Sequence, residues 1–194
     1  MKTNETFFER YSVPVFLTGT PLISIAIALF APIPPTLAPV LMALVPALMA
    51  IFLLAMTEGR HGVARLLTKL GQWRIGLKWY VVALGVPLAL HVIIAVAARL
   101  LGWIPALRLN DRPLSLILVI AVFVLLASVT EELGWRGYVL PRLLARRSAL
   151  VSALLIGIPW GLLHAPLYLP GMPSAGASML AGTLAVFAIS FVLT

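Results

Sequence analysis

Acidic side chains are scarce in this sequence, with six Asp and Glu among 194 residues. Two of them are adjacent, Glu131 and Glu132, and they close the apolar run from Pro113 to Thr130. A carboxylate at the centre of a bilayer costs at least ~2.5–3.5 kcal/mol, so a pair at the end of such a run calls for a partner or a function. The segment continues Leu133-Gly134-Trp135-Arg136-Gly137. On a helix Glu132 and Arg136 are i and i+4, with the acid before the base, and their pairing neutralises one acid. Glu131 faces about 100° away and shares its face with Trp135. A carboxylate left beside an aromatic wall is suited to general acid or base work. The same residues also fit an interfacial charge cluster reaching to the headgroups, and the Glu pair alone does not choose between the two.

His164 shifts that balance toward chemistry. It lies in Pro159-Trp160-Gly161-Leu162-Leu163-His164-Ala165-Pro166, within the apolar run that follows the Glu pair. Trp160 and His164 are i and i+4 and so share a face. Pro159 and Pro166 lack the N–H groups that would bond the Leu155 and Leu162 carbonyls, which opens the helix around the imidazole. A lone intramembrane His is commonly a hydrogen-bonded core residue, and His91, midway along the third run, is read that way. For His164 the neighbouring run offers a carboxylate. One member of a Glu–His pair takes a proton from water while the other orients it. Glu131, Glu132 and His164 also form a one-His, two-carboxylate set of the kind Zn²⁺ accepts. With Glu132 paired to Arg136 and one imidazole nearby, the water pair is preferred, and no cofactor is assigned.

Other hydrolytic chemistries fail on the residues themselves. No His is followed by the spacing of an H-E-x-x-H zinc site, and Asp111 is the sole Asp, so an aspartyl dyad is out. No G-x-S-x-G elbow occurs. Without cysteine there is no thiolate nucleophile and no disulfide framework.

The elements that must hold these groups follow from composition. The chain is 62% hydrophobic and 10% charged, with mean hydropathy +1.09. A soluble domain is roughly 45–50% apolar and ~25% charged, which excludes one here, together with disorder. A net charge of +8 on so few charges suits basic loops beside anionic lipid headgroups, with membrane lipids and no nucleic acid as partners. Six runs approach the ~20 residues of a membrane-crossing helix: Val13–Phe30, Thr36–Met56, Trp79–Ala98, Pro113–Thr130, Ala149–Tyr168 and Ser178–Thr194. The expectation is an all-α polytopic transmembrane bundle of about six spans, with residues 1–194 as one membrane domain. Residues 1–112 supply N-terminal spans and a basic loop, and 113–194 a partial catalytic core. The first run is expected as an uncleaved helix, since Glu5 and Glu9 dilute the basic flank a signal peptide needs.

Alternating spans put eleven of the fourteen Lys and Arg on the side of the N-terminus, against Arg99, Arg108 and Arg112 on the other. That bias sets a cytoplasmic N-terminus in a cell-membrane protein. In the loop after the second run, Val63, Leu66, Leu67 and Leu70 recur at helical spacing, which fits a short interfacial helix and equally a solvated basic loop.

Simple alternation conflicts with a shared site. At 1.5 Å per residue, His164 would lie roughly 22 Å deep while Glu131 stays near the cytoplasmic edge. The two meet only if the fourth helix continues past Thr130 to about Leu140. Helix through Glu131–Leu140, and a Glu131–His164 separation within about 8 Å, are therefore required.

The double Glu with its Arg, one helix ahead of an aromatic-x-x-x-His, resembles the CPBP family of intramembrane proteases. This family comprises the type II CAAX prenyl endopeptidases and bacterial Abi-type proteins, and the likeness covers roughly Leu114 to Tyr168. The resemblance implies an intramembrane endopeptidase near the cytoplasmic leaflet, acting on a peptide or prenylated-protein substrate. It implies Glu131 and His164 as the catalytic pair that activates water, with Glu132, Arg136 and Trp160 as support, to which the shared helical face adds Trp135. The family's third motif, His-x-x-x-Asn or similar, does not occur by Thr194. The 194-residue form is therefore expected to be inactive until a downstream helix bearing it is supplied. A non-catalytic membrane binding or immunity-type scaffold is the alternative, and a small proton-coupled transporter a third. A transporter would usually show repeat symmetry, and none is found.

Overall fold

Apolar runs of this length satisfy their backbone hydrogen bonds internally, and the five that fall among the described residues fold as helices. The computed structural model describes residues 6–34, 37–72, 74, 76–102 and 114–168, and all regular structure among them is helical. In chain order these are α1 (Phe7–Phe30), α2 (Ala38–Leu67) with a 3₁₀ turn at Thr68–Gly71, and α3 (Leu77–Leu100). Then come α4 (Leu114–Glu132), a π-helix at Leu133–Val139, α5 (Leu140–Leu144) and α6 (Ala149–His164) with a 3₁₀ turn at Ala165–Tyr168. Among the described residues, Phe7–Phe30 and Ala38–Gly71 are long and apolar enough to cross a membrane. The run Ser178–Thr194 and the link carrying Arg108 and Arg112 lie outside the described residues, as does the side chain of His91.

α1 begins with a capping box that composition alone conceals. Thr6 Oγ1 accepts from the Glu9 amide and the Glu9 carboxylate accepts from the Thr6 amide at 2.6 Å. Pro14 and Pro21 are carried inside the helix. Phe16, fully buried, packs edge-on to Trp135 at 5.1 Å and against Tyr138 at 5.3 Å. α1 is thus part of the core.

α2 is the centre of the packing, touching α1, α4 and the π-helix. Gly134 allows the closest approach. A Cβ there would fall 2.6 Å from the backbone of Pro46, so the π-helix lies directly on α2. Near its C-terminal end α2 bends at Gly59, whose φ of 61° and ψ of −157° belong to a region essentially reserved for glycine.

The basic segment after that bend is a helix, as one of its two readings expects, and not a solvated loop. One face of it packs on the protein. Leu66 is buried against the π-helix at Gly137, and Lys69 Nζ donates to the Gly137 carbonyl at 2.7 Å. Leu67 and Leu70 remain exposed. The reason is the bend, which turns the segment back along the π-helix.

Glu58, just before the bend, pairs with both Arg65 and Arg142, and Arg142 also donates to the Tyr138 carbonyl at 2.9 Å. One half-buried carboxylate therefore ties α2 to α5. Glu58→Gln is expected to lower stability by about 1–2 kcal/mol, between the values for exposed and buried pairs. Denaturant unfolding followed by circular dichroism in detergent measures it.

Candidate active site

The fourth helix does not stop at Thr130. It continues without a break through Glu131–Leu140, but as a π-helix from Leu133 to Val139. The Thr130 hydroxyl accounts for the anchoring at its start, donating to the Ala43 carbonyl of α2 at 2.8 Å. Glu132 pairs with Arg136 as i and i+4. Trp135, expected on the face of Glu131, is instead buried between helices against Phe16, and its indole N–H has no hydrogen-bond partner among the described residues. The wider π turn carries it away from the α-helical face assumed for it.

The aromatic group that meets Glu131 comes from α6. Trp160 Nε1 donates to Glu131 Oε2 at 2.8 Å. One turn on, His164 Nδ1 lies 2.8 Å from the Trp160 carbonyl. A carbonyl only accepts, so Nδ1 carries the hydrogen and a neutral ring has its lone pair on Nε2. That nitrogen faces Glu131 Oε1 at 3.8 Å. The rings of Trp160 and His164 stand 4.8 Å apart.

Both side chains are largely enclosed, with 14% exposure for Glu131 and 20% for His164. A gap of 3.8 Å is too long for a direct hydrogen bond, yet a single water about 2.8 Å from each atom spans it. Such a water would donate one hydrogen to the carboxylate and the other to Nε2. Pro159 sits inside α6, while the carbonyl of Leu162 is taken by the Ala165 amide in the 3₁₀ turn. The opening expected from Pro166 is therefore closed by tightening the last turn.

The possible metal set does not assemble. Glu132 is directed to Arg136, and no cluster of three His, Asp or Glu groups that could hold a metal occurs among the described residues.

The two tryptophans differ in a testable way. Trp160→Phe removes the donor that fixes Glu131, and about a tenfold loss of turnover is expected from the lost charge-assisted hydrogen bond. Trp135→Phe removes a donor with no partner among the described residues, so turnover is expected to stay within about threefold, with only a packing cost. Single-turnover rates of the two variants, side by side, decide this.

Comparison with known proteins bears on the same stretch. The family model "Rce1-like: Type II CAAX prenyl endopeptidase Rce1-like" matches residues 113–194. The CPBP resemblance holds. The segment containing α4, the π-helix and α6 thus falls inside that match. A curated relative, CAAX prenyl protease 2 of Methanococcus maripaludis, is 51% identical over 43 residues. That overlap is 22% of this chain and 16% of the relative, so it spans about a sixth of the relative's length. No solved structure matches the chain.

Proposed function

We propose that this chain is a multi-pass intramembrane endopeptidase of the CAAX type, hydrolysing a peptide bond of a prenylated-protein substrate. The observation that carries this reading is the Glu131–His164 pair, 3.8 Å apart and held by Trp160, inside the stretch that matches the Rce1-like family. Glu131 is the base. Its Oε1 takes a proton from the bridging water as the water oxygen bonds to the substrate carbonyl carbon. His164 Nε2 accepts the water's second hydrogen and so directs the oxygen lone pair at that carbon. The carbonyl becomes a tetrahedral oxyanion. The proton held on Glu131 then passes to the amine nitrogen as the carbon–nitrogen bond breaks. Arg136 neutralises Glu132, leaving Glu131 as the unpaired carboxylate.

The reading includes about six spans with the N-terminus and the Glu131 end of α4 on the cytoplasmic side, supported by the distribution of Lys and Arg. The site then opens near the cytoplasmic leaflet, where a lipid-modified chain end would lie.

A prenylated peptide and its unprenylated counterpart, offered to the full-length protein in liposomes, test the proposal. Mass spectrometry is expected to detect an internal cut in the prenylated peptide. An intact prenylated peptide, with the protein folded and the pair in place, would overturn it.

A further inference from the structure

A second cleft takes no part in this chemistry. It lies between the start of α1 and the turn joining α5 to α6, with a volume of about 760 Å³. Its lining changes character in step along both helices. Arg10 on α1, and Arg146 and Arg147 just before α6, stand at one end. Val13 and Leu17 follow on α1, and Leu155 on α6. From Arg10 to Leu17 the helix rises about 10 Å, so a cationic rim gives way to an apolar trough within the reach of a headgroup and the start of an acyl chain.

The charges of the rim are not cancelled from within. Glu9, the acid of the cleft, accepts from the Thr6 amide and hydroxyl in the cap of α1. Arg142, the deeper cation, is held by Glu58 and the Tyr138 carbonyl. Arg10 lies over the Tyr11 ring at 5.4 Å. Arg146 and Arg147 are exposed and have no carboxylate partner among the described residues. The depth of the rim is marked as well. Phe7 and Tyr11 flank Arg10 with 62% and 39% exposure, and exposed aromatic groups of this kind sit at the membrane–water interface.

We propose that this cleft binds one anionic phospholipid, with its phosphate on Arg10, Arg146 and Arg147 and an acyl chain along Val13, Leu17 and Leu155. Guanidinium forks match phosphate oxygens geometrically. The apolar side chains Val13, Leu17 and Leu155 below them select a phosphate that carries a chain over a free anion. The proposal does not depend on catalysis, so it stands or falls apart from the protease reading.

Native mass spectrometry of the full-length protein released from mixed phosphatidylglycerol and phosphatidylcholine nanodiscs tests it. The expected result is one retained phosphatidylglycerol, favoured over phosphatidylcholine by roughly tenfold or more, as two cations at the headgroup would imply. Arg146→Gln with Arg147→Gln is expected to reduce that preference to below about twofold, and Arg10→Gln with Arg147→Gln provides an independent pair. Leu17→Trp, which fills the trough and leaves the rim intact, is expected to lower retention. Millimolar inorganic phosphate is expected not to displace the lipid. Unchanged preference in both arginine pairs would overturn the proposal. So would displacement by inorganic phosphate, which would identify a simple anion site, or displacement by a soluble acidic peptide, which would identify a protein-docking surface.

Discussion

Replacing Glu131 with Gln is expected to lower peptide hydrolysis by 10²–10⁴, the range that positioned acid–base catalysis contributes. The amide keeps the volume of the carboxylate and can still accept from Trp160 Nε1 through its oxygen, so the packing of α6 on α4 is preserved. What disappears is the group able to take the water's proton. His164→Ala is expected to fall in the same range, because Nε2 holds the second hydrogen of the same water. Effects of groups that act on one water do not add, so the double variant should be about as inactive as either single one. Single-turnover cleavage in liposomes measures the rates, and circular dichroism with protease protection checks folding and insertion. Either variant retaining more than about a tenth of the wild-type rate would refute the assignment.

Gly134→Ala is expected to be the most damaging small substitution away from the site. A Cβ at this position would meet three atoms of Pro46 at 2.6 Å, two of them backbone. Neither partner can yield by a side-chain rotation, so α2 and the π-helix must separate. Overpacking typically costs 1–3 kcal/mol, and a rigid backbone contact belongs at or above about 3 kcal/mol on that scale. Because Glu131 precedes this contact by less than one turn, activity should fall with stability. Gly157→Ala supplies the contrast. No described residue lies within 4 Å of its added Cβ, and the change is expected to stabilise α6 by roughly 0.5–1 kcal/mol. Unfolding midpoints of the two variants in the same detergent report both effects.

Much of this architecture is legible in the residues because a bilayer leaves few choices. Long apolar runs have to be helices, and each run that is described is one. The continuation of α4 beyond Thr130 was also accessible, since Glu131 and His164 meet in no other way. The form of that continuation was not. A π-helix depends on how Gly134 and Gly137 fit α2, and that contact spans sequence-distant elements. For the same reason Trp135 was expected beside Glu131, whereas Trp160 from another helix occupies that place. Glu58 carries a signal of its own in the sequence, an acid closing a long apolar run, which is the same anomaly as at Glu131. Its partner Arg142 lies 84 residues away, a distance no local pattern bridges.

The way α6 carries Trp160 and His164 reduces the site to a single mechanical coordinate. The indole that grips Glu131 and the carbonyl that orients the imidazole belong to one residue, and the imidazole follows within the same turn. These three groups move as one body. Thermal motion that spoils the geometry must therefore be a displacement of the end of α6 against the end of α4. Tilts or bends of α1, α2 or α3 matter only as far as they project onto that displacement.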